Sequence, residues 1–248
     1  MTRLGLIGSG NMARALATGW GEPVLATDSG SGRAAALVAD VGGQALGTDN
    51  AGLSRRVEVL VLCHKPYQLD SVAAEAAGFQ GLVISVLGGV ELEALRAAYP
   101  EASVAAVMPN TAVAVRRGVT LVAEGSDTPD AVAELFGRVG TVVTLPESAL
   151  SAGSGISGVG PAYVALWAEG WIDAGVRAGL RPAVATELVL ETLAGSAELI
   201  RAQGGDTLGV RRAVASPGGT TARGLRALTD AGLQSALHAA MDATRGVS

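Results

Sequence analysis

Through about residue 145, short apolar runs alternate with alanine-rich stretches, and after about Ala149 the runs stop. RLGLIG, EPVLATD, VEVLVLC and GLVISVL (residues 3–8, 22–28, 57–63 and 81–87) are bounded by turn residues and read as buried strands. NMARALATGW, SGRAAALVADVG, YQLDSVAAEAAG and ELEALRAAY repeat their apolar positions every three or four residues, as helices do. SVAAVMPN, GVTLVAEG and TVVTLP add strands, with the helix TPDAVAELFGRVG before the last of them. Such alternation predicts an α/β domain with a parallel, doubly wound sheet. Beyond Ala149, every segment from PAYVALWAEGWIDAGVRAGL to ALHAAMDATRG carries helical periodicity. The expected organisation is an α/β domain over 1–148 and an all-helical domain over 149–248.

Composition narrows the function. The chain is 49% hydrophobic but only 3% aromatic, so its core is built from Ala, Val and Leu. A formal charge of −5 without a basic tract leaves nucleic acid no electrostatic footprint. The single cysteine, Cys63, excludes an intramolecular disulfide and fits a reducing compartment. A strand pattern that begins by Leu4 leaves no expected signal peptide. No apolar stretch is both long enough and free enough of glycine and charge to span a bilayer. The expectation is a soluble, cytoplasmic protein with no nucleic-acid or membrane partner. Two histidines and one cysteine make no dedicated metal site.

Two segments carry chemistry. Gly8-Ser9-Gly10-Asn11-Met12-Ala13 follows the first strand and opens the first helix, the G-x-G-x-x-A context in which backbone approaches a pyrophosphate. Asp28 ends the second strand, where an acid meets an adenosine ribose and favours NAD. Ser29, Ser31 and Arg33 follow in a glycine-containing loop and suit a 2′-phosphate, so the choice between NAD and NADP stays open. His64, Lys65 and Pro66 follow VEVLVLC at the carboxyl edge of the sheet; Lys65, the only lysine, suits a ribose or phosphate. Cys63 and His64 are packing and lining residues. The second segment, VASPGGTTARGL at 214–225, feeds a Gly-Gly loop into a helix start. Its N–H groups suit an anion, with the hydroxyls of Thr220 and Thr221 at the expected N-cap beside it. The plainer alternative is an ordinary capped turn.

GLIGSGNMARAL, HKP at 64–66, VMPNT at 107–111, SGVGPAYV at 157–164, DAGVRAGL at 173–180 and SPGGTTARGL at 216–225 together resemble the pyrroline-5-carboxylate reductase family over essentially the full length. The resemblance implies a Rossmann-like N-terminal domain and a C-terminal helical dimerisation domain, with dimers often joined into rings. It implies NAD(P)H-dependent reduction of 1-pyrroline-5-carboxylate to L-proline. Gly8 to Ala13 would then meet the pyrophosphate, and Asn50 the adenosine side. Cys63 to Pro66 would lie near the nicotinamide ribose, and Val86, Leu87 and Gly88 beside the nicotinamide. Ser216, Gly218, Gly219, Thr220 and Thr221 would hold the substrate, with Thr221 Oγ on the ring nitrogen as the catalytic group. Three features depart from what the resemblance implies: Ala106 replaces an arginine, Val159 a serine, and Asp28-Ser29 stands where many NADP-using members carry Asn-Arg or a similar pair. Ala106 and Val159 keep a different cyclic imine carboxylate as an alternative substrate, and a non-catalytic dinucleotide-binding regulator as an alternative role.

Overall fold

A computed structural model describes residues 3–245. The outermost residues of the two expected domains, and Gly246 of the last expected helix, lie outside it. The first 145 residues supply β1 (Leu4–Ile7), α1 (Asn11–Trp20), β2 (Val24–Thr27), α2 (Arg33–Val41), β3 (Gly43–Ala45), α3 (Asn50–Ser54), β4 (Val59–Leu62), α4 (Leu69–Glu75), β5 (Leu82–Ser85), α5 (Leu92–Ala98), β6 (Ser103–Pro109), β7 (Gly118–Ala123), α6 (Pro129–Gly137) and β8 (Gly140–Leu145). The strands form one sheet in the order β3-β2-β1-β4-β5-β6-β7-β8.

Strand side chains alternate between the two faces. Leu4, Leu6, Val59, Val61, Ile84, Ala105 and Val107 pack with residues of α1, α2 and α6 in one apolar layer. Leu60, Leu62, Val83, Val104 and Ala106 pack with residues of α3, α4 and α5 in the other. Runs buried on both faces therefore read as continuous apolar sequence. Edge-to-face contact between Trp20 and Phe136, with the indole N–H donating to the Leu135 carbonyl at 3.1 Å, ties α1 to α6.

The sheet departs from the parallel expectation at one join. β7 runs antiparallel to β6, while β7 and β8 are parallel. Only a short 3-10 turn at Thr111–Val115 links β6 to β7, too little chain for a parallel crossover. Through Asn110, α7 (Leu150–Ser157) is also bound to this region. The Asn110 amide donates to the Ser157 carbonyl at 3.0 Å, and its carbonyl oxygen accepts from Val119 N at 3.2 Å. The chain accordingly divides into compact units after Pro161, later than the expected boundary at 148/149.

The second unit, from Ala162, contains most of α8 (Gly160–Arg177) and all of α9 (Pro182–Ala202), α10 (Thr207–Val214), α11 (Thr220–Asp230) and α12 (Leu233–Thr244). Only Ala168, Ala185 and Val189 are buried among its described helical residues. Val164, Leu166, Trp167, Trp171, Leu188, Leu190 and Leu237 are exposed apolar residues of the same helices. No described helix is long and apolar enough to cross a membrane.

Candidate nucleotide cleft and anion loop

At the carboxyl ends of β1, β2 and β4 lies a cleft of about 740 Å³, the position at which open α/β sheets bind ligands. Gly8, Ser9, Gly10, Asn11 and Met12 line it. Gly8 N donates to the Thr27 carbonyl at 3.1 Å and Ser9 Oγ to the same oxygen at 2.8 Å, pinning the turn to β2. Gly8 has φ of +96°, and a Cβ there would stand 2.7 Å from the backbone of Cys63 and His64. Gly10 caps α1 in an extended conformation without a side-chain hydrogen bond, so the first-turn N–H groups remain open to an anion. A cradle that only glycine permits, over an open helix start in a cleft of this size, fits a dinucleotide. Ala13 is buried in the core beneath the turn instead of lining the cleft, where its small side chain lets α1 approach the sheet.

Asp28 also lines the cleft, but its carboxylate is engaged. Oδ1 accepts from Gly30 N at 2.6 Å and Ser31 N at 2.9 Å, and Oδ2 from Ala34 N at 2.7 Å. Desolvation pushes its pKa up, but the bonds from Ala34, Gly30 and Ser31 together outweigh this and hold it below the ordinary carboxylate value. Asp28 thus builds the β2–α2 loop. That loop presents Ser29, Ser31 and Arg33 to the cleft. Arg33 is exposed and has no ion pair among the described residues.

Asn50 meets the same end of the cleft. Its Oδ1 accepts from Thr27 Oγ1 at 2.6 Å, and its Nδ2 donates to Glu75 Oε2 at 2.7 Å. Thr27, Thr48, Gln68, Ser71, Val72 and Glu75 line the cleft without having been singled out from sequence. Gln68, Ser71, Val72 and Glu75 recur at helical spacing on one face of YQLDSVAAEAAG, and that period was the available signal.

Across the β4 end, Cys63, His64, Lys65 and Val86 line the cleft. Burial pushes the Cys63 thiol up to about 12, which keeps it protonated and inert at neutral pH. His64 Nδ1 lies 2.9 Å from the Lys65 carbonyl, which can only accept, so Nδ1 carries the proton and the buried Nε2 is a bare acceptor without a partner. Desolvation lowers the His64 pKa and the bond to Lys65 only partly opposes it. Pro66 opens an exposed 3-10 turn, Leu87 is buried in the second apolar layer and Gly88 is exposed; none of the three lines the cleft. Ala106, where the family pattern has arginine, is also buried in that layer.

In the second unit, Ser216 to Thr221 form a turn that enters α11. Gly218 has φ of +70°, and the N-cap is Gly219 rather than a threonine, so Thr220 and Thr221 are the first helical residues. Glycine takes the cap because Gly219 N must reach back to the Ser216 carbonyl at 3.1 Å, with the Ser216 hydroxyl where a Cβ would stand. Gly219 N is therefore spent inside the loop. Arg223 Nη1 braces the turn by donating to the Gly218 carbonyl at 2.9 Å. No side chain caps α11, which leaves the N–H groups of its first turn open.

Residues 147–248 match the family model for pyrroline-5-carboxylate reductase dimerisation, and residues 3–89 that for NADP oxidoreductase, coenzyme F420-dependent. The chain is 41% identical to the pyrroline-5-carboxylate reductase of Synechocystis over 79% of its length and 75% of that protein's. It is 34% identical to the Mycobacterium tuberculosis enzyme of that name over 100% of its length and 96% of that protein's. Among solved structures, it is similar to the Plasmodium falciparum pyrroline carboxylate reductase with NADP bound, at 28% identity and a TM-score of 0.85, covering 98% of this chain and 95% of that one. With the glycine cradle and the Ser216–Thr221 turn both present and matches that run the length of the chain, the protein belongs to the pyrroline-5-carboxylate reductase family.

Proposed function

We propose that the protein reduces 1-pyrroline-5-carboxylate to L-proline, with NADPH or NADH as hydride donor. The observation that carries this reading is the full-length likeness to pyrroline-5-carboxylate reductases in a chain that keeps the turn from Ser216 to Thr221. Gly8 to Met12 hold the pyrophosphate, with Ala13 setting how closely α1 sits. Asp28 shapes the loop that receives the adenosine, and Asn50 faces the same part. His64, Lys65 and Val86 line the nicotinamide side, with Cys63 as inert wall and Pro66, Leu87 and Gly88 as the scaffold behind it. Asp28 Oδ1 already accepts two backbone bonds and Oδ2 one, so the acid keeps a single acceptor site for a free 2′-hydroxyl. Ser29, Ser31 and Arg33 suit a 2′-phosphate, so NADPH is the favoured donor.

When bound, the nicotinamide supplies a hydride to the C=N carbon of the substrate. The C=N electron pair passes to the ring nitrogen, which keeps its proton and becomes a secondary amine. Ser216 and Gly218 shape the anion turn, and Gly219 closes it as the cap. The open N–H groups of Thr220 and Thr221 hold the substrate carboxylate. Thr221 Oγ bonds the ring nitrogen and fixes the ring's orientation. An iminium is electrophilic already, so orientation and proximity supply most of the rate and no strong acid is needed.

The protein self-associates through its helical unit, as a dimer or a ring of dimers, and works in the cytoplasm. Oxidation of NADPH that depends on 1-pyrroline-5-carboxylate, compared with NADH at equal concentration, tests the whole reading. No oxidation of either cofactor sinks it. Thr221→Ala lowers kcat by about tenfold or more while the NADPH dissociation constant stays the same. Unchanged kcat removes Thr221 from its role.

A further inference from the structure

Glu75 is a carboxylate in an unusual place. It ends α4, and a negative charge is disfavoured at the C-terminal end of a helix. It is exposed in the cleft, and no cation pairs with it among the described residues. Its Oε2 is held by the Asn50 amide at 2.7 Å, and Asn50 is fixed from its other side by Thr27 at 2.6 Å. The Thr27–Asn50–Glu75 chain therefore orients the carboxylate, and Oε1 is left with capacity to accept. One turn earlier on the same helix, the buried side chain of Val72 also lines the cleft, an apolar floor beside a polar edge. An apolar side chain bordered by a hydrogen-bond acceptor suits a purine that carries an amino group.

We infer that Glu75 reads the base of the cofactor, its free carboxylate oxygen accepting a hydrogen bond from the 6-amino group of adenine while Val72 supports the ring. This rests on the reductase reading, which puts the adenosine at the β2 end of the cleft, where Asn50 meets Thr27.

The test is direct titration of the whole protein, without substrate, using NADPH and its hypoxanthine analogue, in which the 6-amino group is replaced by oxygen. The wild-type protein binds NADPH about fivefold more tightly than the analogue, as expected for one exposed hydrogen bond to a charged group. Glu75→Ala weakens NADPH and abolishes the preference, because no carboxylate is left to accept from the amino group or to repel the analogue's 6-oxygen. Glu75→Gln keeps an acceptor for Asn50 but turns an amide N–H toward the base, so the analogue gains on NADPH. Equal weakening of both cofactors by Glu75→Ala reduces Glu75 to a support for Asn50 and overturns the assignment. So does a change in the NADPH-to-NADH ratio with the base preference intact, which would move the contact to the ribose. A wild-type protein that binds neither NADPH nor NADH sinks the reductase reading and this assignment with it, whereas cofactor binding without base preference sinks the assignment alone.

Discussion

Asp28 and Arg33 are placed differently from what their positions suggest. An acid at the end of the second strand reads as a ribose acceptor, yet its oxygens are taken by Gly30, Ser31 and Ala34, and the cation five residues on is left facing the cleft. Arg33→Ala therefore raises the dissociation constant for NADPH by about tenfold and leaves that for NADH unchanged. Equal effects on both, read by fluorescence titration, would return the ribose to Asp28. Gly8→Ala places a methyl group against the Cys63–His64 backbone at a φ that disfavours L residues. It should cost at least about 2 kcal/mol of stability and abolish cofactor binding together. Burial of His64 makes stability depend on pH. Its folded pKa is lowered, so the unfolded chain binds the proton first, and stability declines as pH falls through about 6.5. Melting temperatures of His64→Val taken between neutral and mildly acidic pH should decline less steeply than those of the wild-type protein.

Among elements, those made by local period were legible and those made by pairing were not. The runs around β1, β2, β4 and β5 are continuous apolar sequence because both faces are buried. β3 is only Gly43-Gln44-Ala45, with no apolar run; it is a strand because Gly43 to Ala45 pair with Val24 to Ala26 of β2. The antiparallel turn to β7 was hidden for a similar reason, since loop length rather than strand composition sets direction. Asn110 holds that corner, joining β6 and β7 to the end of α7 from a buried position. Asn110→Asp replaces the donor toward the Ser157 carbonyl with a second acceptor in a buried place. A loss of about 3 kcal/mol in denaturant midpoint experiments is expected, recovered in part at acidic pH, where the carboxyl can donate again. The α11 cap shows the limit of residue statistics. Threonine is a favoured N-cap, but the bond from Gly219 N back to Ser216 gives the position to glycine and moves both threonines into the helix.

At the scale of the whole molecule, the two units differ in how they are stabilised. The sheet unit buries an apolar layer on each face, whereas the helical unit buries three small side chains among its described helices and leaves tryptophans and leucines exposed. A monomer that exposes this much apolar surface is incomplete, which agrees with the dimerisation family that matches residues 147–248. Leu188→Arg on α9 should shift sedimentation toward monomer and lower the melting temperature in a protein-concentration-dependent way. An unchanged sedimentation coefficient would move the interface to another face. By itself, the sequence determined the strand–helix alternation, the glycine turn after the first strand, the glycine turn at 216–221 and the family, because each is written in local period or in contiguous residues. Tertiary structure alone decided that Asp28 is spent on its own loop, that Glu75 reaches Asn50, that Leu87 and Ala106 are buried packing, and that the sheet unit extends to Pro161. Those outcomes depend on hydrogen bonds and contacts between residues far apart in the chain, which no local pattern encodes.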